Sequence, residues 1–452
     1  MTSSFPEGFR WGVASASYQI EGAVAADGRG PSIWDTFSHT PGRIDGDDDG
    51  DVACDHYHRW AEDLDLIRSL GIPAYRFSVA WPRVMPDGRT VNQAGLDFYD
   101  RLVDGMLERG IDPLLTLYHW DLPQALDVGE AGGWLDRDIA DRFADFAVVV
   151  GKQLGDRVPA ITTLNEPWCS AYLGYAKGEH APGRTSSPLA YRAAHHLNLA
   201  HGRAAAALRS TLPAGAEVSV TLNLQQVQAA SDRPEDLAAA AHADLVANRI
   251  FLDPMLRGGY PLELLEQTAH LTDWSFVADG DAEVICQPLD FLGVNFYNPV
   301  RICAPAAGLA PYPGTDRACF VDIPGPHTVM GWPIQASGLT DLLLRVQRDH
   351  GIPMMVTENG TACADLPDGQ GVVHDLDRID YLHQHLTAVR DAIEAGADVR
   401  GYYLWTLLDN FEWAWGYDKR FGIVHVDFDT LSRTPKDSAR WYADVIARNA
   451  PP

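Results

Sequence analysis

A chain of 452 residues, 46% of them hydrophobic, can bury a large core. Its 35 basic and 62 acidic side chains leave a formal net charge of −27, which repels nucleic acid and anionic membrane surfaces and excludes both as partners. Six cysteines at 54, 169, 286, 303, 319 and 363 follow no metal-ligand spacing and no compact disulfide pattern, so they read as free thiols in a reducing compartment.

Residues 1–6 lack a basic region followed by an apolar run, and no stretch of about 18 apolar residues occurs, so a cytoplasmic location is expected. Nothing in the sequence sets an oligomeric state. What recurs along the chain is a short apolar run followed by a longer amphipathic stretch. The runs lie at 9–14, 74–79, 113–118, 160–164, 218–222, 291–296, 354–357 and 401–405. The spacing between them predicts helices over 55–70, 93–109, 136–154, 189–208, 234–252, 339–350 and 376–395. In 93–109, for example, Leu96, Tyr99, Leu102, Val103 and Met106 recur at helical intervals. No low-complexity linker interrupts the chain. Strand and helix alternating eight times predict a closed (β/α)8 TIM barrel, one catalytic domain over 1–452. The Pro/Gly-rich segment 304–329 is expected as a long βα loop on the active face.

In such a barrel the chemistry sits at the C-terminal strand ends. Reading them in order gives Gln19 shortly after the first run and Arg76 inside the second, then His119 and Trp120, Asn165 and Glu166, Asn223, Asn295 and Tyr297, Glu358, and Trp405. Two of them are glutamates ending apolar runs, one before Pro167 and one before Asn359-Gly360, a turn signal. A charge at the end of a buried strand is costly unless something uses it. Two carboxylates flanking a glycosidic bond can hydrolyse it without a metal. The hydroxyl-binding groups and tryptophans around them suit a sugar, whose ring faces stack on indoles. Pro167 and Trp168 surround Glu166 with apolar groups that favour its protonated form, and Pro167 is expected to hold Glu166 extended. Arg76 is the cation expected to keep Glu358 ionised. Glu166 is therefore the expected acid/base and Glu358 the expected nucleophile.

With these residues in place, the chain resembles glycoside hydrolase family 1, the β-glucosidase family. Residues 9–22 resemble its N-terminal signature, Thr163-Leu164-Asn165-Glu166-Pro167 its acid/base motif and Val356-Thr357-Glu358-Asn359-Gly360 its nucleophile motif. Residues 405–413 and Phe421-Gly422 resemble its sugar-binding C-terminal segment. The resemblance implies retention of configuration, with the two carboxyls about 5–5.5 Å apart. It also implies that Gln19, His119, Trp120, Asn165, Asn295, Tyr297, Trp405, Glu412 and Trp413 bind the glucosyl unit, with Phe421 among the substrate-binding residues. Tyr297 would hydrogen-bond the nucleophile, and Trp332 would line the leaving-group side. Relatives that act on 6-phosphorylated sugars lack the glutamate at 412, and a carboxylate there would repel phosphate, so an unphosphorylated sugar is expected. The implied substrate is a β-glucoside or cello-oligosaccharide, with no cofactor and no metal. A broader β-galactosidase, β-fucosidase or transglycosylase, a sugar-binding protein without turnover, and a metal-dependent barrel hydrolase are the rivals.

Several other features carry blander readings. His56 and His58 do not share a helix face and are read as packing or surface residues. The acidic run 45–51 is read as a solvated loop, and Trp11 as structural. Cys169 is read as lining the leaving-group channel.

Overall fold

The computed structural model describes residues 4–451; residues 1–3, part of the segment read for a leader, lie outside it. Eight parallel strands close into a barrel, and we number them β1 to β8. They are β1 (Arg10–Ala14), β2 (Ala74–Ser78), β3 (Asp112–Tyr118), β4 (Ala160–Asn165), β5 (Glu217–Asn223), β6 (Phe291–Asn295), β7 (Met354–Asn359) and β8 (Val399–Trp405). Each strand pairs with its neighbours in chain order, and β8 closes on β1. All eight predicted runs are strands. β7 runs two residues further than its apolar run, through Asn359, because Tyr402 and Phe296 take up the Asn359 side chain.

The amphipathic stretches form the outer ring. Helix Gln93–Glu108 buries the predicted Leu96, Tyr99, Leu102, Val103 and Met106, with Phe98 besides. The stretch at 234–252 is less regular than predicted. A helix at Pro234–Asp244 passes through a π segment, Leu245–Arg249, before Ile250–Arg257. The last helix, Asp437–Arg448, was not foreseen; it buries Ala439, Tyr442 and Val445, and Tyr442 donates to the Gly12 carbonyl of β1.

The long loop at 304–329 is not wholly irregular. Its Cys319–Val321 joins Val300–Cys303 and Val227–Ala229 in a three-stranded sheet outside the barrel. Trp11 is structural, as expected. It packs on Phe5, Phe9 and Tyr442 and donates to Asn449 Oδ1. Among the described residues no helix is long and apolar enough to cross a membrane.

Register sets the site. Ala14 pairs with Trp405 and Arg76, Asn165 with Thr221, and Asn295 with both Asn223 and Glu358. The predicted strand ends are therefore level with one another at one mouth of the barrel.

Candidate active site

The chain leaves β4 at Asn165 and turns at once into a helical segment. Glu166 makes the turn with φ +47°, and its carbonyl accepts from Cys169 N. The extended backbone expected from Pro167 is therefore corrected. Proline disfavours the right-handed helical region before it, and Glu166 meets that restriction in the left-handed region. Trp120 at φ +79° and Trp413 at φ +51° share this uncommon conformation. Three non-glycine residues held there in one site mark backbone strain offset by the packing around them.

The two glutamates have unlike partners. Arg76 Nη1 donates to Glu358 Oε1 at 2.6 Å, and Tyr297 OH donates to Oε2 at 2.7 Å. Arg76 is fully buried, and its Nη2 donates to Asn165 Oδ1 at 2.6 Å. Glu166 receives only neutral donors, Asn295 Nδ2 on Oε1 at 2.7 Å and the Cys169 thiol on Oε2 at 3.2 Å. Burial, reinforced by the charge of Glu358, pushes the Glu166 carboxyl up to about 8. Burial pushes Glu358 up as well, and Arg76 and Tyr297 pull it back. The proton of the pair thus belongs on Glu166 and the charge on Glu358. Glu412, half-buried near both, is pushed up to about 8 by desolvation and then by Glu358 and Glu166.

A cavity of about 570 Å³ opens over the two glutamates. His119, Trp120, Asn295, Tyr297, Trp332, Trp405, Glu412, Trp413 and Phe421 line it, as do Asn223 and Cys169. His119 stacks between Trp405 and Trp413, with ring centroids at 5.7 and 6.1 Å, and Trp120 meets Trp413 at 4.6 Å. Burial, with the Arg76 charge, holds His119 well below its usual range, so it is a neutral ring. Trp332 packs on Tyr297 and Phe421.

Three of the singled-out residues do not line the cavity. Arg76 and Asn165 stand behind Glu358 and His119, and Gln19 lies fully buried beside Glu412, donating to it at 3.3 Å. The Gln19 Oε1 atom is buried without a hydrogen-bond partner. Asn295 lines the wall, but its amide is engaged with Asn165, Glu166 and Thr357. Sequence reasoning did not single out His180, Gln225, Met330 and Trp415 in the lining, while Phe320 reaches it from the 304–329 segment expected on the active face. His180, Gln225 and Met330 sit in irregular segments whose path no periodicity reports. His180 is fixed by Trp34 and Trp120, each 5.2 Å away.

The acidic run 45–51 is more than a solvated loop, which corrects the expectation. Asp48 Oδ2 accepts from Tyr417 N, and Tyr417 OH donates to the Asp49 carbonyl, bracing the segment that carries Trp413. Asp49 and Asp51 in that loop and His39 outside it bring ligand atoms within 4.8 Å of one another, the one such trio among the described residues, with His39 exposed and the two aspartates half-buried. His56 is buried on Asp63 at 2.7 Å and His58 is exposed, so the two do not converge.

The arrangement, two buried carboxyls with different protonation in a tryptophan-lined cavity, has close parallels among known proteins. The chain is 53% identical to a bifunctional β-D-glucosidase/β-D-fucosidase of Bifidobacterium breve, with 99% of each covered. It is 46% identical to β-glucosidase A of Thermotoga maritima, with 98% of each covered. A Thermotoga maritima family 1 β-glucosidase solved with isofagomine lactam superposes with a TM-score of 0.94 at 45% identity, covering 99% of this chain and 100% of that one. A β-glucosidase from the same organism solved with galacto-hydroximolactam gives 0.93 at 45% identity, with 99% of both covered. The sequence profile of glycosyl hydrolase family 1 matches residues 1–451. At that coverage and identity the family is settled, and the chain belongs to glycosyl hydrolase family 1.

Proposed function

We propose that the protein is a retaining β-glucosidase that removes terminal, non-reducing β-D-glucosyl residues from β-glucosides and cello-oligosaccharides. The observation that carries this reading is the asymmetry of the two glutamates. Glu358 is held by a cation and a phenol, and Glu166 by neutral donors alone. In the proposed reaction Glu358 attacks the anomeric carbon while Glu166 protonates the leaving oxygen. Glu166 then takes a proton from water, which releases the sugar from Glu358. Arg76 and Tyr297 keep the nucleophile ionised. The Trp120, Trp405 and Trp413 rings face the sugar, and His119, Asn165, Gln19, Asn295 and Glu412 fix its hydroxyls directly or through one another. Trp332 borders the leaving group, and Phe421 packs beside it. The steps draw on no metal or organic cofactor, and undiminished activity in EDTA is the check.

The proposal extends to the whole chain as one catalytic domain over 1–452, acting on a small glycoside rather than on nucleic acid or a membrane. Six free cysteines suit a cytoplasmic location, and a role in breaking down cellulose fragments fits the proposed substrates.

The test is chemical rescue. Glu358→Gly should lose hydrolysis, and azide should restore turnover on an activated glucoside by forming a glucosyl azide; no azide product would overturn the nucleophile assignment. A broader reading, in which β-fucosides and β-galactosides are also cleaved, is favoured by the bifunctional name of the Bifidobacterium relative and by the galacto-configured ligand of the Thermotoga structure. Comparing kcat/KM on nitrophenyl glucoside, fucoside and galactoside decides between the two.

A further inference from the structure

Cys169 opens the π-helical segment Cys169–Lys177, and its sulfur stands between two groups. Glu166 Oε2 is 3.2 Å away on one side, and Asn223 Nδ2, at the end of β5, is 3.4 Å away on the other. An amide nitrogen only donates, so the sulfur accepts from Asn223 and turns its own hydrogen to Glu166. We infer that Cys169 is a positioning residue for proton transfer, its thiol holding Glu166 Oε2 while Asn295 holds Oε1. The inference rests on the reading of Glu166 as acid/base.

Two donors on two oxygens leave the carboxyl one orientation. Both donors are neutral, so they steady the carboxylate left after proton donation without adding a cation. A thiol is a weak donor. It therefore favours the ionised form less than a hydroxyl would, and Glu166 keeps its proton at neutral pH. Burial, with Glu166 beside it, pushes the Cys169 thiol well up, so it stays protonated and able to donate. The other charged or titratable groups facing Glu166 are Glu358 on β7, Arg76 on β2, Tyr297 after β6 and Glu412 after β8. None of them changes in the series below.

The test is a graded substitution read as a pH profile. Loss of the donor in Cys169→Val should move the basic limb of kcat/KM up by about half a pH unit. The stronger donor in Cys169→Ser should move it down by a similar amount. Cys169→Val should also lose about three- to tenfold on an alkyl β-glucoside, whose leaving group needs the proton. It should stay within about twofold on dinitrophenyl β-glucoside, whose leaving group does not. Cys169→Ala replaces the valine variant if that one fails to fold, and melting temperatures report folding. Basic limbs that stay in place, or that shift the same way in both variants, overturn the inference. Glu166→Ala is run alongside. If it loses alkyl glucosides selectively, the acid/base reading stands and a flat cysteine series overturns the cysteine role alone. If it loses both substrates equally, the acid/base reading falls and the inference falls with it.

Discussion

Replacing Tyr297 by Phe isolates what holds the charge on Glu358. The phenol donates to Glu358 Oε2 at 2.7 Å, while Arg76 serves Oε1. Phenylalanine keeps the ring, which packs on Trp332 at 5.4 Å and Phe421 at 6.1 Å, so the cavity wall stays in place. A hydrogen bond to an ionised acceptor contributes about 1.5–3 kcal/mol. At about 1.4 kcal/mol per pKa unit this is about 1–2 units. The sign follows from which form is bonded. The phenol stabilises the carboxylate, so its loss raises the Glu358 pKa. The acid limb of kcat/KM, which reports the ionised nucleophile of the free enzyme, should move up by about 1–2 pH units. The basic limb, which reports loss of the proton from Glu166, should move far less. The two carboxyls interact, so each limb belongs to the pair, and the width of the profile is the safer readout. It should narrow by about 1–2 units. The assay is kcat/KM on nitrophenyl β-glucoside across the profile, with the rate of trapping by a 2-fluoro-glucoside as a direct reading of nucleophile charge. An acid limb that does not move would refute the claim that Tyr297 keeps Glu358 ionised, and an upward shift of the basic limb alone would assign the phenol to the wrong glutamate.

Other perturbations reach different parts of the molecule. Glu166→Ala should lower kcat/KM on alkyl glucosides by about 10²–10⁴-fold, with azide restoring turnover of activated glucosides as the β-glucosyl azide, identified by NMR. Gly360→Ala should unfold or displace the end of β8, because an added Cβ would lie 1.7 Å from the Trp405 carbonyl oxygen; a melting temperature within a degree of wild type would contradict this. Lys436→Met should cost about 3 kcal/mol, since its ammonium bonds Asp365 at 2.6 Å and Asp409 at 2.8 Å, all three buried. Its melting temperature should fall while KM is unchanged.

The barrel was legible because its signal is local. Eight apolar runs separated by helical periodicity repeat the same instruction, and each run needs only its own residues to be read. The strand-end rule then converts position into a site, which is how Glu166, Glu358 and Arg76 came together on paper. What resisted reading depends on contacts between distant segments. Burial of Glu166 was foreseen from Pro167 and Trp168, but the charge of Glu358, from another strand, was not weighed for it. The left-handed turn at Glu166 escaped because a following proline excludes one region without choosing among the rest. The terminal helix was missed though its amphipathic face is strong, since seven other helices had already supplied the pattern. His180 and the cavity loops carry no period at all, and only tertiary packing against Trp34 and Trp120 gives His180 its place.

Glu412 shows how a correct residue can be chosen for an incomplete reason. Its carboxylate was expected to exclude phosphorylated sugars by repulsion. Burial and the two neighbouring glutamates push it up to about 8, so near neutral pH it is largely protonated and a weak source of repulsion. Its hydrogen-bond partner is the Gln19 amide, which brings no positive charge. Arg76 directs its guanidinium at Glu358 and Asn165. A phosphate placed beside Glu412 would therefore give up its hydration and face the charge on Glu358, and among the described residues no cation hydrogen-bonds Glu412; of the cations that line the cavity, Arg301 donates to the Ala230 carbonyl. The two explanations part with pH. If ionised Glu412 did the excluding, a 6-phospho-β-glucoside would gain on the unphosphorylated glucoside as pH falls below 8. If the missing cation does it, the ratio of their kcat/KM values stays low and flat down to the point where the phosphate loses its second charge, near pH 6. A ratio that climbs between about pH 8 and 7 would restore the repulsion argument; a flat one places the selectivity in the lack of a cation paired with Glu412, and predicts that a lysine introduced near Glu412 raises the ratio without help from pH.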